Sequence, residues 1–172
     1  MKPPLPPGSS LERLAKRHPR RRFGSGNSVV DDWLQTKALQ HQEKRLSTSK
    51  VLIDVAGNIQ GFYTLAMEVV DFGDLPQEMI RRLPKRRLPV AVLAWLGVAH
   101  DQRKRGLGRL LLALALDDCA QAGKTFAFIA VILDCVDDDA KRFYQQFDFQ
   151  ELPGRPYRLF LSASRLLQIV GE

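Results

Sequence analysis

The segment 90–116, VAVLAWLGVAHDQRKRGLGRLLLALAL, determines the predicted fold, because an apolar strand runs here into a basic, glycine-punctuated turn that opens an apolar helix. The turn at 103–109 contains two glycines, and a residue without a Cβ lets a ligand approach the backbone closely. Successive backbone N–H groups at a helix N-terminus favour anions, and four basic side chains add to that attraction. The segment therefore predicts a pyrophosphate-binding loop between a strand and a helix.

Two common phosphate-binding loops do not fit these residues. A Walker A loop would need a glycine at the position of Asp118. The dinucleotide fingerprint GxGxxG lacks its third glycine, because Leu111 stands there. The pattern that remains is Arg103-x-x-Gly106-x-Gly108, placed at the end of the strand.

The whole chain has the composition of one folded domain with an anionic partner. It has 172 residues, of which 45% are hydrophobic and 26% charged, so it can bury a sizeable core. We expect a flexible, proline-rich extension over residues 1–10 and a single domain over residues 11–172. The net charge of +7 exceeds what one pyrophosphate ligand requires, so nucleic acid is a candidate second ligand.

Several classes of protein are disfavoured. The N-terminus has no apolar signal core, and no run of about 18 apolar residues occurs, so we expect a cytoplasmic protein that does not enter the membrane. Cys119 and Cys135 lie far from any CxxC spacing, which argues against a disulfide framework and a zinc site, and no metal is expected. Nucleophilic hydrolysis is disfavoured because there is no GxSxG motif and His18, His41 and His100 have no evident triad partners.

Hydrophobic periodicity and turn residues predict alternating helices and strands. Helices are expected over 27–45, 76–82, 106–122, 137–147 and 164–170, and strands over 50–56, 59–70, 90–99, 126–133 and 157–161. Gly57-Asn58 should join the first two strands as a hairpin, and Pro84 and Pro89 should break the chain before the third. This order predicts an α+β or mixed α/β fold, with the phosphate loop at the C-terminal end of a strand.

The loop and a second motif together resemble the GNAT family of N-acetyltransferases. Arg103-x-x-Gly106-x-Gly108 is similar to the acetyl-CoA pyrophosphate loop of that family, and Phe143-Tyr144 to the aromatic pair on its later helix. The resemblance implies a central, mostly antiparallel sheet flanked by helices, acetyl-CoA as cosubstrate, and Tyr144 as the acid that protonates the leaving thiolate. It also implies that the strand backbone contacts the pantetheine arm of acetyl-CoA and that the loop binds the pyrophosphate. The implied acetyl-CoA-binding residues are Leu96, Gly97, Val98, Arg103, Lys104, Arg105, Gly106, Leu107, Gly108, Arg109 and Phe143.

The chemistry of the residues supports a tyrosine acid and leaves the base open. A phenol with a pKa of about 10 can donate to a thiolate whose conjugate acid has a pKa of about 8.5. The strand at 90–99 has no Asp or Glu to take a proton from the attacking amine. An α-amine, with a pKa of about 7.7–8.0, is already partly neutral at pH 7, whereas a lysine amine at about 10.4 is not. The missing acid favours an α-amine acceptor, although Glu68, Asp71 or Asp134 could supply a base from another element.

A narrower resemblance covers nearly the whole chain from Phe23 onward. Short blocks at 23–26, 32–34, 61–65, 83–84, 89–90, 103–109, 143–144 and 158–161 are similar in order and spacing to those of GNAT toxins of type II toxin–antitoxin systems. Those toxins acetylate the α-amine of aminoacyl-tRNA and are neutralised by a ribbon-helix-helix antitoxin. The resemblance therefore implies aminoacyl-tRNA and such an antitoxin as partners, together with a possible homodimer.

The chain departs from the toxin pattern at three positions. Ala99 stands where an acidic residue is usual, Trp95 where an arginine is frequent, and Asp148 where a Phe-Gly-Phe turn has its glycine. None of the three removes a proposed catalytic atom, but the acceptor pocket and the full toxic activity depend on them. Asp148 requires a turn that tolerates it in a glycine conformation, which Asp does better than most residues.

Two basic clusters are candidates for contacts with tRNA phosphates. The expected nucleic-acid-binding residues are Arg20, Arg21, Arg22, Arg81, Arg82, Lys85, Arg86 and Arg87. Contacts of this kind give affinity without sequence choice and weaken with salt. Solvated charge beside a linker is the alternative explanation for both clusters.

Three functions remain open from the sequence. The first is an aminoacyl-tRNA N-acetyltransferase acting as a toxin. The second is an acetyltransferase of the same fold that acts on a protein N-terminus or a small-molecule amine, and the third is a non-catalytic module that binds CoA or RNA. Salt-sensitive tRNA binding is expected of the first function and not of the second. The third function predicts no acetyl transfer, so Tyr144→Phe would change no measurable turnover.

Overall fold

The computed structural model describes residues 2–172, whose strands and helices alternate along the chain. The strands are β1 Ser10–Arg13, β2 Thr48–Ile53, β3 Ile59–Asp71, β4 Arg87–Val98, β5 Ala130–Asp134, β6 Gln150–Leu152 and β7 Arg155–Ser162. The α-helices are α1 Ser28–Asp32, α2 Ala38–Glu43, α3 Gln77–Ile80, α4 Leu107–Gly123, α5 Asp138–Gln145 and α6 Ala163–Val170. Within residues 2–172, no helix has the length and apolar character needed to cross a membrane.

The strands form one sheet in the order β1–β2–β3–β4–β5–β7–β6. The pairs β1–β2, β2–β3, β5–β7 and β6–β7 are antiparallel, whereas β4 and β5 run parallel. Thr48 lies opposite Leu65 in the β2–β3 pair, and Ala91 lies opposite Val131 in the β4–β5 pair. This mixed, mostly antiparallel sheet with accompanying helices confirms the predicted fold class.

The first predicted helix contains a wider, π-helical turn. Asn27 caps α1, and its side-chain oxygen accepts hydrogen bonds from the backbone N–H groups of Val29 and Val30. The turn Trp33–Lys37 follows, in which the N–H of Ala38 donates to the carbonyl of Trp33, and α2 continues the run. Apolar spacing predicted the helix but not the wide turn, because one extra residue barely changes the pattern.

Two compact units divide the chain. The first consists of the described residues up to Ala66 together with Leu93–Asp117, and the second of Met67–Val92 together with Asp118–Glu172. Each fully buried large apolar side chain stabilises the folded state by about 1.5–3 kcal/mol, so a dense cluster fixes the elements that carry it. In the first unit that cluster is Leu14, Phe23, Val30, Trp33, Leu34, Ala38, Val51, Ile53, Ile59, Phe62 and Ala99.

The second unit is built on the antiparallel β5–β7 pair. Its buried side chains include Ile132, Leu133, Leu159, Leu161 and Leu166, the last of them on α6. The pairing continues one residue past β5, where the N–H of Cys135 donates to the carbonyl of Tyr157 at 2.7 Å. The chain then enters α5 at the cap residue Asp137, whose Oδ1 accepts a hydrogen bond from the N–H of Ala140 at 2.8 Å.

Two strand predictions are wrong in their boundaries. Pro89 lies inside β4 rather than before it, because its fixed φ fits extended backbone and its carbonyl still accepts a hydrogen bond from the N–H of Ile129 at 3.0 Å. β5 begins at Ala130, not at Phe126. The N–H of Phe126 donates to the carbonyl of Ala122, so these residues prolong the terminal turn of α4, and the Phe126 side chain is exposed.

Smaller differences have local causes. β2 ends at Ile53 because the N–H of Asp54 already donates to the carbonyl of Asn58 in the hairpin turn. α4 begins at Leu107, since Gly106 has a φ of +76°, outside the helical region. β1 and β6, of four and three residues, were not predicted because they are too short for an alternating pattern. β1 opens at Ser10, and the division into residues 1–10 and 11–172 stays a prediction.

Candidate active site

The predicted phosphate loop lies between β4 and α4. After β4, His100–Gln102 forms one 3-10 turn, and Arg103 returns to extended backbone. Lys104 and Gly106 then adopt left-handed conformations, with φ of +65° and +76°. This backbone leads directly to the N-terminus of the 17-residue helix α4. Left-handed residues before a helix N-terminus orient peptide N–H groups toward one concavity, which is a geometry that binds anions.

Space and charge around the loop also suit an anion. Nothing in residues 2–172 lies within 4 Å of the position that a Cβ on Gly106 would occupy. Lys104 and Arg105 are exposed, and Arg105 makes one long hydrogen bond, 3.4 Å, to the side-chain oxygen of Gln102. Leu107 is buried and anchors the first turn of α4, whose leading N–H groups have no acceptor within the helix. The loop can therefore present two cations and several amides to a pyrophosphate.

The last residues of β4 are held by unusually close packing. A Cβ on Gly97 would lie 2.7 Å from Cγ1 of Val30 and 2.8 Å from a ring carbon of Phe62. A Cβ on Gly61 would lie 2.9 Å from the carbonyl oxygen of Gly97 and 2.6 Å from a methyl carbon of Leu111. Both positions therefore need glycine for lack of space rather than for backbone conformation. The packing fixes the backbone of Leu96–Val98, the segment predicted to contact pantetheine.

Arg103, in the first unit, contacts a turn of the same unit that is distant in the sequence. Its guanidinium Nη2 donates a hydrogen bond to the backbone carbonyl of Ser25. Oδ1 of Asp31 accepts from the N–H of Ser25 at 2.8 Å and from its hydroxyl at 2.6 Å. The N–H of His100 donates to the carbonyl of Gly24 at 2.8 Å. The turn at residues 24–26 is therefore tied to the phosphate loop and to α1 at the same time.

α5 places Tyr144 in a cluster of aromatic side chains. The centre of its ring lies 5.1 Å from that of Phe143 and 5.8 Å from that of Phe149. Phe143 in turn lies 5.2 Å from Phe147. Burial raises the pKa of the Tyr144 phenol, and the charge of Cys135 raises it further. The phenol therefore stays protonated across the neutral range, as a proton donor must.

The turn after α5 accommodates the aspartate found in place of glycine. Asp148 has a φ of +69°, in the left-handed region that glycine adopts most easily. Its carboxylate accepts a hydrogen bond from Nε of Arg165 at 3.0 Å and another from the Nη2 of the same side chain. Asp is one of the few other residues that visit this region, and the ion pair holds its side chain in place. The requirement stated from the sequence is met.

All three candidate bases lie beside an arginine. Asp134 accepts two hydrogen bonds from Arg158, at 2.9 Å and 3.2 Å. Glu68 lies 4.0 Å from the same guanidinium, and Asp71 lies 3.6 Å from Nε of Arg87. Bidentate pairing engages both oxygens of Asp134 with the Arg158 guanidinium. The arrangement agrees with an acceptor amine that is partly neutral before it binds.

The first basic cluster is only partly available to a partner. Hydrogen bonds from Ser10 and His18, together with a contact from Arg17, hold the pKa of Glu12 at about 2, so the basic residues Arg17 and His18 just before the cluster are engaged. Arg20, Arg21 and Arg22 form a 3-10 turn in which the last two side chains are exposed. Arg20 is half-buried, and its Nε has no hydrogen-bond partner within residues 2–172. Arg21 and Arg22 therefore carry the accessible charge.

The second basic cluster, in the second unit, is more open. Arg81, Arg82, Lys85 and Arg86 are exposed, whereas Arg87 pairs with Asp71. Arg81 and Arg82 line one side of an open cavity of about 480 Å³. Its other lining residues are Glu78, Met79, Leu83, Ile129, Ser162, Ala163 and Ser164.

Sequence reasoning missed three interactions of the site. They are the hydrogen bond of Arg103 to Ser25, the effect of Cys135 on the pKa of Tyr144, and the pair of Arg165 with Asp148. The partners in the first and last contacts lie 78 and 17 residues apart. The Ser25-Gly26 block was the one signal for the first contact, and no periodicity marks the other two. The predicted loop residues belong to the first unit and Phe143-Tyr144 to the second.

Residues 27–149 match the model of the acetyltransferase (GNAT) family. The chain is also 33% identical over 150 residues to the tRNA-acetylating toxin of Mycobacterium tuberculosis (strain ATCC 25618 / H37Rv). That alignment covers 87% of this chain and 89% of the relative.

Two solved structures share the fold at low sequence identity. One is AtaT complexed with acetyl-methionyl-tRNAfMet, with a TM-score of 0.86, 18% identity, and coverage of 94% of this chain and 98% of that one. The other is a mutant of the AtaT toxin bound to the C-terminus of the antitoxin AtaR and acetyl-CoA. Its TM-score is 0.81 at 15% identity, with coverage of 96% of this chain and 99% of that one.

Proposed function

The chain belongs to the acetyltransferase (GNAT) family, and on this premise we propose that it is a toxin that acetylates the α-amine of aminoacyl-tRNA. Membership makes it an acetyl-CoA-dependent N-acetyltransferase. The acceptor is inferred from the 33% identity, over 87% of the chain, to a relative named tRNA-acetylating toxin. Acetylation would block the amine that translation requires.

Acetyl-CoA would lie along β4 and the loop that follows it. The backbone of Leu96–Val98 would contact the pantetheine arm, since close packing under Gly97 holds that backbone in place. The pyrophosphate would accept hydrogen bonds from the N–H groups around Gly106 and Gly108 and would be neutralised by Lys104, Arg105 and Arg109. The open space at Gly106 supports this placement.

In the transfer step, the neutral α-amine attacks the thioester carbonyl of acetyl-CoA. The new C–N bond forms as the C–S bond breaks, and the electron pair leaves with sulfur. Tyr144 would donate its phenolic proton to that thiolate, and Phe143 would line the same position. The acceptor nitrogen loses its surplus proton to water, because the candidate bases Asp134, Glu68 and Asp71 all lie beside arginines. The phenol regains a proton from solvent, so the protein returns to its starting state.

The acceptor would be held mainly through its phosphates. The exposed arginines at positions 21 and 22 and those at 81 and 82 can each neutralise a phosphate, whereas Arg20 and Arg87 contribute less because they are half-buried or paired. A structural neighbour was solved with a tRNA, which supports a tRNA ligand for this fold. Lys85 and Arg86 would extend the second contact along the RNA backbone.

Partners and a cellular location for the enzyme follow from the proposed activity. We expect a ribbon-helix-helix antitoxin to neutralise the enzyme, and a structural neighbour in complex with the C-terminus of an antitoxin supports that expectation. A homodimer is expected from the family resemblance. The enzyme would act in the cytoplasm, where charged tRNA is available.

Transfer of radiolabel from acetyl-CoA tests the proposal. The purified protein is incubated with a pool of charged tRNA, with uncharged tRNA, and with a small primary amine. Label on charged tRNA alone is expected, and it should be lost in Tyr144→Phe but kept in Tyr157→Phe, whose hydroxyl is bonded to exposed Asp138. Label on the small amine but not on charged tRNA would reject the toxin assignment while leaving the acetyltransferase activity intact.

A further inference from the structure

We propose that Arg103 is a positioning residue that holds the phosphate loop in shape through the turn at residues 24–26, rather than a cation that binds the pyrophosphate. The inference rests on acetyl-CoA as cosubstrate but not on the identity of the acceptor. Arg103 would thus differ from Lys104 and Arg105, because its guanidinium donates to a carbonyl 78 residues away in the sequence.

The direction of the Arg103 side chain is the first argument. Its Nη2 donates to the carbonyl of Ser25, and the same atom would lie 3.3 Å from a Cβ on Gly26. Arg105, two residues on, donates a long hydrogen bond to the neighbouring Gln102 side chain, at 3.4 Å. Both arginines are exposed, but the Arg103 guanidinium donates to a carbonyl 78 residues away in the sequence, whereas the Arg105 bond stays within the loop.

The second argument is that the partner of Arg103 is itself fixed. Asp31 accepts two hydrogen bonds from Ser25, one from its N–H and one from its hydroxyl. Ser25 is buried, and its hydroxyl in turn accepts from the N–H of Asn27 at 3.1 Å. Asp31 and Asn27 belong to α1 and its cap. The position of the Ser25 carbonyl is thus determined by α1, and Arg103 transmits it to the loop.

Gly26 makes the turn possible. Its φ of +89° is unfavourable for any residue with a side chain. A Cβ there would also lie 3.3 Å from Nη2 of Arg103 and 3.3 Å from Nδ1 of His100. The N–H of His100 donates to the carbonyl of Gly24. The loop is therefore held at two successive points, by His100 at the start of the 3-10 turn and by Arg103 after it.

The two roles predict different dependence on salt. A cation that binds pyrophosphate directly contributes less affinity as salt screens the attraction, so its removal flattens the salt dependence of binding. A residue that only shapes the loop lowers affinity by the same factor at every salt concentration. A residue with a purely structural role lowers the melting temperature but leaves the dissociation constant of the folded protein unchanged.

Calorimetric titration of the full-length protein with CoA, at about 0.05 M and about 0.5 M salt, separates these roles. We expect Arg103→Gln to weaken CoA binding about tenfold at both concentrations, which is the scale of one charged hydrogen bond. The control Arg105→Gln should weaken binding about threefold at low salt and converge on the wild type at high salt. Asp31→Asn should repeat the Arg103→Gln pattern, and the double variant should bind no worse than the weaker single variant.

A flattened salt dependence in Arg103→Gln, or losses that multiply in the double variant, would overturn the proposal. Melting curves establish that each variant is folded at the assay temperature. If Asp31→Asn is not, Ser25→Ala replaces it, because it removes one of the two bonds to Asp31 and keeps the carbonyl that Arg103 uses. Wild-type protein that binds CoA but labels no tRNA would reject the toxin function alone and leave this test in force.

Discussion

The phosphate loop and the aromatic cluster around Tyr144 owe their proposed chemistry to opposite environments, one open to solvent and the other desolvated. The loop uses left-handed backbone at Lys104 and Gly106, exposed cations and an open approach. The cluster around Tyr144 instead surrounds a half-buried side chain with aromatic rings, and desolvation raises the pKa of its phenol. Burial likewise raises the pKa of the Cys119 thiol, near the C-terminal end of α4, to about 12. Function at the loop should therefore respond to salt and shape, and function at the cluster to pH and to single atoms.

The largest effect should come from removing one oxygen in the cluster. Tyr144→Phe is expected to lower kcat about 100-fold or more, since it deletes the proposed proton donor and keeps the ring. The dissociation constant for CoA should stay within about twofold, because the proposed pyrophosphate contacts are elsewhere. Steady-state kinetics and calorimetry measure the two quantities. An unchanged kcat, or an equal fall in Tyr157→Phe, would remove the assigned role.

Shape at the loop side should be tested at Gly97. Gly97→Ala places a Cβ within 3 Å of Val30 and Phe62, so we expect a loss of about 1–3 kcal/mol in the free energy of unfolding. Gly73→Ala is the matched control, because nothing within residues 2–172 lies within 4 Å of its added carbon. Urea denaturation of both variants gives the comparison. Equal stability in the two would show that β4 relaxes freely and that its backbone is not fixed by packing.

The desolvated thiol should make stability fall in alkali. The unfolded Cys119 thiol ionises near its ordinary value of about 8.5, whereas the folded thiol stays protonated until about pH 12. Its contribution to stability is therefore complete below about pH 8.5 and falls by about 1.4 kcal/mol per pH unit above it. Urea midpoints between about pH 8 and 9.5, below the ordinary tyrosine pKa of about 10, should show this slope. Cys119→Ala, less stable at pH 7, should show a shallower one.

The smallest effect is expected at the turn after α5. Asp148→Gly relieves the left-handed backbone by about 1 kcal/mol but loses an exposed ion pair worth about 0–1 kcal/mol, so stability should barely change. Asp148→Ala loses the pair and keeps the unfavourable φ, and it should cost about 1–2 kcal/mol. Thermal melts separate the two variants. A large loss in Asp148→Gly would mean that the pair with Arg165, not the backbone, holds the turn.

Much of the fold followed from local patterns, and its errors have local reasons. The hairpin at Gly57-Asn58 and the α4 helix were predicted because their glycines and apolar runs act within a few residues. Pro89 was misplaced because a proline excluded from helices is still allowed in extended backbone. Phe126 looked like a strand residue, but the end of α4 claimed its N–H. The Phe126 error came from competition between neighbouring elements for one backbone group, whereas the Pro89 error came from the conformations that proline allows.

The sequence alone determined the family and the phosphate loop, because both are written in contiguous residues whose spacing sets the backbone. It also determined the requirement at Asp148, since a non-glycine residue at a tight turn has few conformations to choose from. Only the tertiary structure decided that Arg103 turns toward Ser25, that the Tyr144 phenol is desolvated, and that arginines lie beside the candidate bases. These depend on which distant side chains meet, and neither charge nor periodicity along the chain records that meeting.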